Sequence, residues 1–249
     1  MTIKKLLLAA MLLVPTATFA QADDFGIWTS ISAAKKVNKK LSFDIDAELR
    51  TRDDASELDR WSVGVGAQYK LTKWLKANVG YSLLRDNNQK ITYKESNGMP
   101  NKRAEYWGTR HRVSASLTAS QKLGNIELSL RERWQYTYRP EKTISQRWDY
   151  DDEDYDGKAK TYSGRGKNVM RSRLQVSYDI PHSHFEPYVN AEMYNAWALE
   201  KMRYSAGIDW NVSKKAAVGL YYIYQSVHDD DDDNDPNRHI VGLEYKLKF

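Results

Sequence analysis

From Leu41 onward the chain alternates. Leu41, Phe43, Ile45, Ala47 and Leu49 are apolar, and Ser42, Asp44, Asp46, Glu48 and Arg50 between them are polar. The pattern returns in Trp61-Val63-Val65-Ala67-Tyr69-Leu71, Leu75-Ala77-Val79-Tyr81-Leu83 and Val113-Ala115-Leu117-Ala119. It continues in Ile126-Leu128-Leu130, Leu174-Val176-Tyr178 and Phe185-Pro187-Val189-Ala191-Met193. The last rows are Met202-Tyr204-Ala206-Ile208-Trp210, Val218-Leu220-Tyr222-Tyr224 and Val241-Leu243-Tyr245-Leu247-Phe249. With the opening stretch from Ile27 to Lys35 these make eleven segments. Period two repeated this often means strand, and each segment matches the ~9–11 residues that carry a tilted strand across a bilayer.

The connectors alternate in length. Short ones fall at Val37–Lys40, Leu71–Lys73, Lys122–Asn125, Pro181–His184 and Val212–Lys215, and long polar ones at Asp53–Glu57, Asn87–Glu105, Pro140–Gly166, Ala196–Glu200 and His228–Asn237. Aromatic residues gather near strand ends: Trp61, Trp107, Tyr136, Tyr138, Trp197 and Tyr224 towards the long connectors, Trp74, Phe185, Trp210 and Phe249 towards the short ones. Short periplasmic turns, long outer loops and two aromatic girdles describe an all-β, closed antiparallel transmembrane β-barrel of about 10–12 strands. A count of eleven conflicts with the even strand numbers of single-chain bacterial barrels. Either the first segment threads the lumen, or one strand has been split or missed.

Composition changes this picture in three ways. Lys4 and Lys5, the apolar run from Leu6 to Val14, and the small residues Thr18 and Ala20 read as a secretory signal peptide over residues 1–20, leaving the barrel to residues 21–249. Loss of those two lysines lowers the net charge from +5 to +3, too small a surplus to argue for nucleic acid. The chain has no cysteine, which excludes disulfides and thiol chemistry, and no cofactor is expected. A mean hydropathy of −0.74 is compatible with a barrel in which only every second residue meets lipid. The expected location is the outer membrane of a Gram-negative cell, with membrane lipid and lipopolysaccharide as surroundings.

Ile27-Trp28-Thr29-Ser30, Asp59-Arg60-Trp61-Ser62 with Gly64 and Gly66, and Arg131-Glu132-Arg133-Trp134-Gln135-Tyr136 form an ordered set of short motifs. Arg171-Ser172-Arg173, and Asp179-Ile180-Pro181 with Glu192, complete it. The set resembles domain-of-unknown-function family 2490, outer-membrane barrels of the Bacteroides and Prevotella group, over almost the whole exported chain. The resemblance implies a barrel and an outer-membrane location, and no activity. The closing row Val241, Leu243, Tyr245, Leu247 and Phe249 likewise resembles the signal read by the barrel-assembly machinery during insertion.

Strict alternation turns four Arg-x-Arg pairs inward: Arg50/Arg52, Arg110/Arg112, Arg131/Arg133 and Arg171/Arg173, with Arg203 alone. The connectors put all but the Arg131 pair near the outer end and that pair near mid-height. Asp44, Asp46, Glu48, Glu127, Glu186, Glu192, Asp209 and Glu244 also point inward, so the lumen is expected to be basic above and acidic below. Guanidinium groups hold phosphate and carboxylate in forked pairs, so an arginine belt would bind or select anions. Alternatively the charges cross-pair and fill a narrow barrel. Glu132 and His111 fall on the lipid face unless a bulge near Arg131 turns Glu132 inward.

Two acidic loops, Asp149–Asp156 and Asp229–Asp235, offer Asp229, Asp231 and Asp233 as weak calcium candidates, but neither has EF-hand spacing, and solvated surface charge is the simpler reading. No nucleophile elbow, metalloprotease or phosphate-loop motif is present. The sequence therefore leaves three readings: a narrow channel or binding barrel for small anions, an occluded structural or surface barrel, and, less favoured, a lipid-modifying enzyme.

Overall fold

The computed structural model describes residues 23–228 and 236–249. The expected signal peptide and Asp229, Asp231 and Asp233 lie outside the described residues. The strands are β1 (Asp24–Lys36), β2 (Leu41–Arg52), β3 (Glu57–Lys70), β4 (Leu75–Tyr93), β5 (Pro100–Leu123), β6 (Ile126–Arg139), β7 (Lys142–Ile144) and β8 (Trp148–Asp149). They continue as β9 (Asp154–Tyr155), β10 (Lys160–Tyr162), β11 (Arg165–Tyr178), β12 (Phe185–Asn195), β13 (Leu199–Trp210), β14 (Ala216–Val227) and β15 (Arg238–Lys248).

Eleven of these, all but β7 to β10, close into one barrel in which each strand pairs with its neighbours along the chain. The closure resolves the parity conflict. The first segment does not thread the lumen but stands in the wall: β1 and β15 run the same way and pair in parallel from Asp24↔Arg238 to Ala34↔Lys248. An odd number of up-and-down strands can close only with one such parallel seam, so the otherwise antiparallel barrel carries one parallel pair. Phe249 completes the seam, its N–H donating to the carbonyl of Ala34 at 2.9 Å while its own carbonyl accepts from Lys36 N–H at 3.1 Å.

The outer face is apolar and uncovered. Ile45, Val65, Val79, Leu117, Leu174, Leu220 and Leu243 are each about half exposed, as in the alternating rows of the sequence. Trp74, Phe185, Trp210 and Phe249 are exposed at the end carrying the short turns, where Phe185 and Trp210 stack with centroids 6.2 Å apart. A protein in water would bury such a surface, and the hydrocarbon of a bilayer is the environment it suits. Glu132 stays on the outer face beside the hydroxyl of Ser172, which donates to it at 2.6 Å, and β6 pairs with both neighbours without a bulge. His111 is also outward, its Nδ1 2.7 Å from the Tyr81 hydroxyl.

The long-connector end departs from expectation. Most of Asn87–Glu105, read as loop, is strand, because β4 and β5 keep pairing beyond the barrel as far as Tyr93↔Pro100. This projecting hairpin is stabilised by the chain between β6 and β11, whose Ile144 and Tyr162 pack on Ala104 and Tyr106. β8 adds to the edge of β5 through Lys102↔Asp149 and Arg103↔Trp148. The acidic loop Asp149–Asp156 is therefore not simply solvated. Lys102 Nζ lies 3.0 Å from Asp149 and 2.9 Å from Asp156, and Arg147 Nη2 2.9 Å from Asp156.

Two predictions follow from this architecture. Since the chain lacks cysteine, single-cysteine variants in sealed vesicles can be labelled from one side. Asp23→Cys and Ser56→Cys should label from the same side and Lys39→Cys from the other; labelling of Asp23→Cys together with Lys39→Cys would contradict the parallel seam. The second concerns Asp156, whose carboxyl is held below the usual carboxylate range by the backbone N–H of Arg147 and by Lys102. A depressed folded pKa stabilises above the unfolded value and is lost only as pH falls through the folded one. Protection of the 140–164 segment from protease should thus persist down to about pH 4, near the ordinary Asp value. Asp156→Ala should remove that protection at neutral pH while the barrel stays folded. Equal cleavage of variant and parent would show that the carboxylate does not hold the segment.

Candidate functional site: an arginine-lined pocket in the lumen

Neighbouring strands place their inward residues in lateral rows that climb around the barrel. One row, read through the register of successive pairs, runs Arg131, Arg173, Glu192, Arg203, Gln225, Arg238, Asp24. Another runs Tyr188, Gly207, Tyr221, Gly242, Trp28, Arg50, Arg60, Asp86. The first mixes four arginines with two carboxylates and one amide, and the second sets aromatic rings beside glycines. A Cβ on Gly242 would come within 2.0 Å of the Tyr221 ring, and one on Gly207 within 2.7 Å of Tyr188, so the two glycines are what let these rings lie across the lumen.

Glu192 joins three strands. Arg131 Nη2 approaches it at 2.5 Å and Arg171 Nη2 at 2.7 Å, and the Tyr194 hydroxyl donates to it at 3.0 Å. The Tyr194 hydroxyl accepts in turn from Arg203, whose Nε and Nη2 also donate to the Gln225 amide oxygen at 2.9 and 2.7 Å. Arg50 lies 3.7 Å from the centre of the Trp28 ring, and Arg203 sits over both Trp28 and Tyr194 at 4.9 and 4.8 Å. Cation–π stacking of this kind orients guanidinium groups without neutralising them.

Above this network, at the end carrying the long connectors, lies a cavity of about 200 Å³. Ten arginines and three lysines line it against three carboxylates, Asp59, Asp86 and Glu200, while Glu48, Glu57, Glu192 and Asp24 pair with Arg50, Arg52, Arg171 and Arg238 from outside the lining. Several cations are paired: Arg60 and Arg110 with Asp86, Arg238 with Asp24 and Asp59, and Lys167 with Glu200. Arg112, by contrast, donates to the neutral Thr137 hydroxyl at 3.1 Å. The Nε groups of Arg133 and Arg139 are buried with no hydrogen-bond partner among the described residues.

Of the arginines read from the sequence, Arg50, Arg52, Arg110, Arg112, Arg171 and Arg203 line this pocket, and Arg131, Arg133 and Arg173 are not part of its lining. The Arg171 pair was expected near the mouth. Arg171 instead faces Arg133 and Arg173 faces Arg131, at one level, because the long connector before β11 feeds it in register with all of β6. Lower down, Lys246 bridges Asp209 and Glu244 at 3.1 Å each, in the acidic zone that alternation anticipated. Sequence reasoning passed over Arg60, Asp86, Gln135, Tyr194 and Gln225. Alternation places Arg60 inward, as the polar neighbour of Trp61. Inward Trp28 and Tyr194 are indistinguishable in sequence from members of an aromatic girdle.

Trp28, Ile223 and Ile240 form a buried apolar cluster with Tyr221 against it, at the level of the Glu192 network.

The family model described as "Protein of unknown function (DUF2490)" matches residues 25–236. No curated protein matches the chain. Among solved structures, the β-domain of the Bordetella autotransporter Brka is similar at 12% identity, over 84% of this chain and 83% of that one, with a TM-score of 0.54. The translocator domain of autotransporter NalP from Neisseria meningitidis is similar at 12% identity over 87% and 82%, with a TM-score of 0.57. At these identities the likeness shows the barrel fold alone.

Replacing Glu192 by Gln would keep its shape and remove the one carboxylate among the described residues that pairs with both Arg131 and Arg171. Breaking a buried pair costs ~3–5 kcal/mol, so the variant should lose its folded, fast-migrating band on gels at a clearly lower temperature than the parent. An unchanged transition would mean that Glu192 does not hold the lumen together.

Proposed function

The chain belongs to the DUF2490 family, and from that premise we propose that it is an outer-membrane barrel that binds small anions in the loop-end pocket of its lumen. The observation that carries this is the strongly basic lining of one cavity, ten arginines and three lysines against three carboxylates. Such a field in a low-dielectric enclosure attracts anions, and arginine forks give them directional partners. Within the same proposal the long connectors face outward from the cell, export depends on residues 1–20, and insertion depends on the row ending at Phe249.

Binding is favoured over conduction because Trp28, Ile223 and Ile240 pack together inside the barrel and the rings of Tyr188 and Tyr221 lie over Gly207 and Gly242 on its inner wall. The same packing supports the second reading, an occluded barrel whose charges serve only to hold it together.

Purified barrel should bind inorganic phosphate in calorimetry, with affinity falling as salt is raised, and should give no steady current in a planar bilayer. A steady anion-selective current would replace the binding barrel with a channel. Absence of both current and binding would leave the occluded barrel.

A further inference from the structure

The pocket's cations are not equally satisfied, and the difference narrows the ligand. Arg112, Arg139 and Arg203 line the cavity with no carboxylate at ion-pairing distance among the described residues. They stand on separate walls. Arg112 on β5 faces Thr137 on β6, with Arg139 two places further along the same inward row, whereas Arg203 is on β13. Neutral acceptors, the Thr137 hydroxyl and the Gln225 amide oxygen, fix Arg112 and Arg203 in place, so neither is held by a direct ion pair.

We propose that the pocket takes a polyvalent oxyanion with at least two phosphoryl groups, of the pyrophosphate or bisphosphorylated class, bridging the Arg112–Arg139 wall and Arg203. This rests on the anion-binding reading above. A monovalent anion would leave most of the local charge unbalanced, whereas each phosphoryl group carries about −1.5 to −2 at neutral pH. The residues are also arginine rather than lysine, and a planar fork holds two oxygens of one tetrahedral group where an ammonium acts as a point charge.

The test is calorimetry on the purified full barrel in detergent, titrated at one ionic strength with acetate, phosphate, pyrophosphate and citrate. Pyrophosphate should bind at least about tenfold more tightly than phosphate, the value of one further charge-assisted hydrogen bond. Arg112→Lys and Arg203→Lys keep the charge and lose the fork. Each should weaken pyrophosphate by about tenfold and phosphate by less, since phosphate can use the other wall. Heat-modifiable migration on gels checks that both variants fold. Equal binding of phosphate and pyrophosphate would overturn the two-group ligand and leave anion binding standing. Citrate binding as tightly as pyrophosphate would overturn the phosphoryl assignment. Binding of no anion would instead remove the anion-binding function on which the inference rests.

Discussion

A sheet closed on itself in an apolar solvent has one side on which to keep its charges. Every second residue of the barrel strands faces outward and is nearly always apolar, so the intervening residues, rich in arginine and carboxylate, are forced into a narrow lumen. There they must find partners or remain uncompensated at high cost. The Glu192 network, the Asp86 pairs and the Lys246 bridge are local solutions to that demand. The pocket is where the solution stops short: cations outnumber carboxylates, and some guanidinium groups rest on neutral hydroxyl, amide or aromatic partners.

Much of the architecture was legible because alternation is a local signal. The outward rows, the short turns and the inward facing of all nine candidate arginines follow from counting by two. What escaped depends on register, which joins residues far apart in the chain. Glu192 meets Arg131 across 61 positions, and nothing local to either announces the pair. The same limit misplaced Arg171, whose height is fixed by its pairing with Arg133 rather than by the length of the connector before it. Asn87–Glu105 read as loop because its residues are polar, yet it remains strand where the chain around Ile144 and Tyr162 covers it. The parity conflict could not be resolved from patterns alone, since a parallel seam and a lumen-threading segment look alike in sequence.

The seam and the pocket are connected. Running β1 downward from the loop end brings Asp24 beside Arg238, and Trp28 beside Arg50 and Arg203. Without that strand, Arg203 would lose one of the two rings it stacks on, and the apolar packing below the pocket would lose Trp28. Closure, lumen packing and the arrangement of the arginines therefore stand or fall together.

The most direct test of the central claim is diffraction from crystals of the barrel soaked in tungstate, a heavy oxyanion visible by its anomalous scattering. The account predicts an anomalous peak inside the lumen, within reach of Arg112 or Arg203. Peaks confined to the outer surface, with the lumen empty of tungstate, would contradict it.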